Sequence, residues 1–286
     1  MFDLMLAPLA AALVILGMNA YFGLHVIRRG VIFVDLAFAQ VAALGGTVAL
    51  LLGAEPGSAV ALLFTFVATL LGALIFSLTR LEASIVPQEA IIGITYVVAS
   101  AAVILLSSFT AEGAEHVSET LTGSLLWITW PAVARIAIAY AVIGAFHYVF
   151  RRRMLDITLR PETVSGVRLW DFIFYLTFGI AISFSVNAAG VLMIFSTLVI
   201  PATIAFLFVE RFGAALALAW LAGAVAVVGG LVVSFSFDVA TGPVLVCAFG
   251  AALVVAGVVR ALRPPATRRR LVESREERGP AAALEA

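Results

Sequence analysis

Residues 190–243 open with GVLMIFSTLVIPATIAFLFVERFG (190–213) and close with VVSFSFDVATGP (232–243), the stretch between them being almost wholly apolar. Its interruptions are few: Pro201, the adjacent pair Glu210 and Arg211, and the isolated acid Asp238. A run this long and this apolar exceeds one crossing of about 30 Å of hydrocarbon, which takes about 20 residues of helix. The interruptions divide it into successive helices and mark places where a plain anchor would need nothing.

The whole chain agrees. Of its 286 residues 63% are hydrophobic and 12% are charged, with a mean hydropathy of +1.15. A soluble domain is about 45–50% apolar and about 25% charged. The fold class expected is all-α, a polytopic helical membrane protein. The net charge of zero speaks against a nucleic-acid partner. The lone Cys247 lies in an apolar run and reads as a small core residue. The first apolar segment lacks a basic leader, its first arginine being Arg28, and reads as a retained span.

Windows of spanning length fall at 4–24, 31–53, 58–78, 90–108, 130–150, a long stretch 172–209, then 214–235 and 242–262. The stretch 172–209 is divided at 187–190, which makes about nine spans; a re-entrant segment there makes eight and moves the N-terminus inside. With nine, Arg28, Arg29, Arg80, the arginines of 151–168, Arg211 and those of the tail all fall on one side. The loops at Glu55, 112–119, Asn187 and Asp238 carry no Lys or Arg. The arginine-bearing side is therefore cytoplasmic. Trp127 and Trp130 suit a headgroup-level belt. Residues 1–262 form the transmembrane domain, and 263–286, charged and proline-bearing, read as a disordered cytoplasmic tail. No connection is long enough to fold a nucleotide-binding core, and no phosphate-binding loop is present.

Several motifs resemble those of the membrane permease subunits of ATP-driven zinc, manganese and iron importers, the ABC-3 type. That family carries G-x-x-L-x-x-x-L-L-x-x-P-A-x-x-A, matched here by 190–192 and 198–205. It also carries S-x-x-x-D-x-x-x-G-P, matched by Ser234, Asp238, Gly242 and Pro243. A third pattern, G-D-x-x-[SA]-H, is matched only at its acid, Asp35. Ala39 stands where the family has histidine, and Gln40 follows. An amide oxygen suits harder ions than an imidazole does, so the match does not single out zinc.

The resemblance implies a homodimeric permease in the cell membrane, with cytoplasmic ABC ATPase subunits and an extracytoplasmic metal-binding protein as partners. The cargo is a divalent transition metal, ATP is bound only by the partner, and the chain itself is not an enzyme. Two readings stand for Asp35: an interfacial acid paired with Arg28 or Arg29, or, with Gln40, part of the metal pathway. Asp238 reads as a helix terminator or as a cation-attracting carboxylate at the outer mouth. Glu112, Glu115, His116 and Glu119 form either a solvated loop or a cation funnel and docking surface for the binding protein. Glu89 reads as a helix-start acid, and His25 and His147 as interfacial packing. Pro201 either kinks one helix or breaks the segment 200–210 into a short cytoplasmic helix that couples to the ATPase. That coupling set is Pro201, Ala202, Thr203, Ala205, Glu210 and Arg211. The alternatives are a proton-coupled secondary transporter, which needs ionisable groups at the midplane, and a permease of the same architecture for an iron chelate or cofactor.

Overall fold

The computed structural model describes residues 2–80, 86–109, 123 and 125–262. Among them are ten α-helices: α1 (Phe2–Arg29), α2 (Val34–Leu51), α3 (Ala59–Leu78), α4 (Gln88–Ser107), α5 (Trp130–Val149), α6 (Arg151–Leu159), α7 (Val167–Ala189), α8 (Val191–Phe208), α9 (Phe212–Phe237) and α10 (Thr241–Leu262). All but α6 are long and apolar enough to cross a membrane, so the described residues hold nine spans. The eight-span alternative falls away. Gly190, at φ 78°, turns the chain between α7 and α8, a backbone shape that costs a glycine little.

α1, α2, α7 and α8 are the most enclosed spans, while α3, α4, α5, α9 and α10 turn more of their surface outward. α1 packs on α8 and α9, α2 on α3 and α4, and α7 on α3. Small residues permit the closest approaches. A Cβ added to Gly23 of α1 would lie 1.9 Å from the Leu198 carbonyl oxygen of α8, and one added to Gly45 of α2 would lie 2.6 Å from that of Phe64 in α3. Without a hydrophobic drive between helices in lipid, such close packing and interhelical hydrogen bonds hold a bundle together. Asn19 Nδ2 donates to Thr197 Oγ1 at 2.9 Å, joining α1 to α8. His147 bridges α1 and α7, with Tyr21 Oη 3.1 Å from Nδ1 and Thr177 Oγ1 2.8 Å from Nε2.

The polar connection that runs from 151–153 to Trp170 reads from sequence as a loop, yet its first part is the helix α6. Its charges lie outward while Met154, Ile157 and Thr158 are buried against the bundle. That one-sided burial supplies what a nine-residue helix lacks in water. The arginine-bearing connections gather at one end of the bundle, which the charge bias makes cytoplasmic. Direct contacts join them: Arg28 Nη2 donates to the Glu210 carbonyl at 3.0 Å and Arg29 Nε to Thr158 Oγ1 at 3.0 Å. The charged tail, 263–286, lies outside the described residues.

Candidate functional site

Asp35 enters α2 in its first turn. It does not pair with Arg28 or Arg29, against the interfacial expectation. Arg29 is committed to Asp171 at 2.9 Å, and Arg28 reaches the α8–α9 turn, where its guanidinium also covers the Phe206 ring at 4.6 Å. Asp35 is 1% exposed, and neither carboxylate oxygen has a hydrogen-bond partner among the described residues. The groups that act on it electrostatically are the amides of its own helix start and the carboxylate of Glu89. A buried carboxylate without a counter-charge is costly.

Glu89, the second residue of α4, belongs to the same place. One of its oxygens accepts the Phe33 amide at 3.1 Å, and the other is buried and unpartnered. The reading of Glu89 as a helix-start acid holds for its position but misses its neighbour. The signal was present in part: two acids, each opening a span after a cytoplasmic connection. Only packing brings Glu89 to the turn that opens α2. No group of three or more His, Cys, Asp or Glu that could hold a metal occurs among the described residues.

Gln40 is separated from Asp35 by five residues, which at 3.6 residues per turn rotates it about 140° around α2. The two therefore present different faces within one subunit. Ala39 shares Asp35's face. It begins a stripe of Ala39, Ala42, Ala43 and Gly46 along a cavity of about 140 Å³, with Thr65 of α3 and Ser183 of α7 across it. Asp35 stands one turn inward from that stripe.

Asp238 lies at the opposite end of the bundle from Asp35. It is exposed and adopts φ 51°, ψ 48° as the C-cap of α9, its amide bonding to the Ser234 carbonyl. Asp tolerates this left-handed conformation better than most residues. Ser234 Oγ completes the joint, 2.8 Å from the Val239 carbonyl and 2.9 Å from Thr241 Oγ1. The terminator role is thus visible, and the carboxylate points to no described partner. Glu112, Glu115, His116 and Glu119 lie outside the described residues.

The break at Pro201 is absent: α8 runs without interruption from Val191 to Phe208. Proline is tolerated inside a buried spanning helix where neighbouring helices and local hydroxyls compensate the lost bond. The amide that Pro201 lacks would have met the Thr197 carbonyl, and α1 packs against this segment at Gly23; Thr203 Oγ1 bonds a different carbonyl, that of Val199, at 2.8 Å. Ala202 and Ala205 are fully buried, inside the bundle rather than on a surface open to a partner. The exposed members of the expected coupling set are Glu210 and Arg211, on the short turn before α9.

That turn and α6 share an anchor. Arg28 holds the Glu210 carbonyl, while the adjacent Arg29 holds Thr158 of α6 and Asp171 of α7. Arg80 closes on both oxygens of Asp171 at 2.7 and 2.8 Å. His25 Nδ1 lies 2.7 Å from Thr158 Oγ1. His25 and His147 thus pack near the inner end, as expected; both nitrogens of His147 are bonded, while His25 Nε2 is buried without a partner among the described residues.

The sequence model of the ABC 3 transport family matches residues 1–260. Over 132 residues the chain is 30% identical to the high-affinity zinc uptake system membrane protein ZnuB of Haemophilus influenzae, covering 44% of this chain and 51% of that protein. The chain thus spans about half the length of this curated relative. Among solved structures, PsaBC from Streptococcus pneumoniae in complex with Fab overlays with a TM-score of 0.73 at 21% identity, covering 88% of this chain and 90% of that chain. An inward-facing metal-chelate type ABC transporter overlays with a TM-score of 0.65 at 18% identity, covering 88% of this chain and 85% of that chain. At these identities the two overlays establish a shared fold.

Proposed function

This chain belongs to the ABC 3 transport family, and from that premise we propose that it is the permease subunit of an ATP-driven importer for a divalent transition metal. Manganese, zinc and iron are the candidate cargoes. Two copies line one path, an extracytoplasmic binding protein delivers the ion, and separate cytoplasmic ATPase subunits drive the cycle.

The observation that carries this reading is the buried Asp35 carboxylate with no counter-charge beside it. In a spanning segment such a group is expensive and marks an ion pathway by default. Glu89 adds a second carboxylate. Together they lower the cost of a partly dehydrated cation without a full ligand cage, so the ion stays briefly and moves on. Asp238, exposed at the outer end, contributes attraction at the mouth.

ATP-driven closure of the partner subunits pushes on the turn that bears Glu210 and Arg211. Arg28 carries that displacement to α1, and the unbroken α8 carries it along Thr203 and Pro201 toward the path. Ala202 and Ala205 serve by close packing against α1. The motion switches the path from outward to inward access.

The test is uptake of manganese, zinc and iron by vesicles holding the chain with its ATPase and binding protein. Asp35→Asn is expected to lower uptake by at least about tenfold, the factor that corresponds to 1.4 kcal/mol, and Glu89→Gln by less. Uptake unchanged in both variants removes the pathway assignment. Uptake by the permease alone under a pH gradient establishes instead a proton-coupled secondary transporter. Uptake only of a chelated metal establishes the chelate-permease alternative.

A further inference from the structure

A groove of about 320 Å³ runs along the inner half of the bundle between α1, α5 and α9. Met18, Tyr21, Gly144, Leu216 and Trp220 line it, with Arg151 among the lining residues where α6 begins. Two glycines keep its floor open. A Cβ added to Gly17 would meet nothing within 4 Å, and one added to Gly144 would meet only the Met18 sulfur, at 4.0 Å. Trp220 Nε1 donates to the Gly17 carbonyl at 2.9 Å, so the indole N–H on this wall is satisfied. His147, also on the wall, is engaged by Tyr21 and Thr177. The trough is therefore apolar along its length, with its polar wall groups satisfied.

Its inner mouth is different. Arg151 is the charged residue among those that line the groove, and Arg152 and Arg153 follow it, all three exposed. Two exposed contacts favour this position of Arg151: Nη1 donates to the Tyr148 carbonyl at 3.3 Å, and its guanidinium lies 4.7 Å from the centre of the Tyr148 ring. A guanidinium is thus held at the cytoplasmic rim of a hydrocarbon trough.

An apolar trough ending in a cation matches a molecule with an apolar tail and an anionic head. We propose that this groove is a binding site for an anionic phospholipid of the cytoplasmic leaflet. One acyl chain lies against Gly17 and Gly144, and the phosphate sits on Arg151. The charge of the groove's mouth selects the headgroup, since anionic lipids of the inner leaflet are drawn to basic side chains at that depth. The assignment holds whatever the chain transports.

The experiment uses the full chain in phosphatidylcholine vesicles doped with a diazirine-acyl probe, either phosphatidylglycerol or phosphatidylcholine. Labelled peptides are mapped by mass spectrometry. Peptides containing Gly17, Gly144 and Trp220 are expected to take the phosphatidylglycerol label roughly fivefold over the other, the worth of one basic side chain at an anionic surface. Arg151→Gln removes that preference while labelling persists, and Gly144→Leu fills the trough and removes labelling by both probes. Because Arg151 is exposed, its variant keeps the proposal testable even where Gly144→Leu fails to fold. Equal labelling of the wild-type chain by the two probes overturns the proposal. So does absence of label from either probe, which means that a second copy of the chain covers the groove.

Discussion

Arg29 of α1 and Asp171 of α7 form an ion pair at 2.9 Å in which the side chains are 2% and 1% exposed. Arg80 joins the same carboxylate at 2.7 Å from a position that is 22% exposed. The Arg29 guanidinium also lies 3.8 Å over the Phe174 ring. One acid thus fastens α1, α7 and the inner end of α3.

Asp171→Asn leaves Arg29 buried without its counter-ion. Removing one partner of a buried pair costs about 3–5 kcal/mol. The purified variant is expected to melt well below the parent, by tryptophan fluorescence or by aggregation on heating. Arg80→Gln, which removes the more exposed partner and leaves the Arg29 pair intact, is expected to cost much less. Equal losses from both would refute the assignment of Arg29 as the main partner.

Thr158 is the point where α6 meets α1. Thr158→Val removes the acceptor for Arg29, the partner of His25 and the donor to the Met154 carbonyl, three hydrogen bonds at about 0.5–1.5 kcal/mol each with more for a charged donor. Stability is expected to fall modestly and Thr158→Ser to restore it. Proteolysis within 151–160 reads the detachment of α6 directly, since a loosened helix is cut sooner.

Gly23→Val places a branched side chain where a single Cβ already lies 1.9 Å from the Leu198 carbonyl oxygen. α1 and α8 are expected to separate, with loss of folded protein in the membrane fraction. Gly17→Ala is the matched control. With nothing within 4 Å of its Cβ, it is expected to gain up to about 1 kcal/mol from helix propensity.

Asp35→Asn is expected to raise stability while it lowers uptake. A neutral amide is cheaper to bury than an unpaired carboxylate, so thermal melting in detergent moves up as transport moves down. This opposition of signs is characteristic of a group retained for function at the expense of stability. A fall in both would mean that Asp35 serves the fold.

Pro201→Ala restores the amide donor inside a helix that is already continuous. The fold is expected to persist, with slower hydrogen exchange between 198 and 205 as the missing bond forms. A collapse of expression would show instead that the proline ring is required by the packing of α8.

Membership of the membrane class and the nine helices of spanning length were readable from residue order alone. Each depends on local quantities: the thickness of hydrocarbon that an apolar run must cross and the conformational freedom of Gly190 at the turn. The pairings were not readable. Arg29 stands six residues from Asp35 and 142 from Asp171, yet it bonds the distant acid. Glu89 accepts the amide of Phe33, two residues before Asp35, from 56 positions along the chain. Pro201, a helix breaker by local rule, lies inside an unbroken helix because α1 closes on its flank at Gly23. In a bilayer every spanning segment satisfies its backbone internally, so the length of an apolar run decides which segments cross. It is close packing between helices far apart in the chain that decides which side chains meet, and with them the placement of the buried carboxylates.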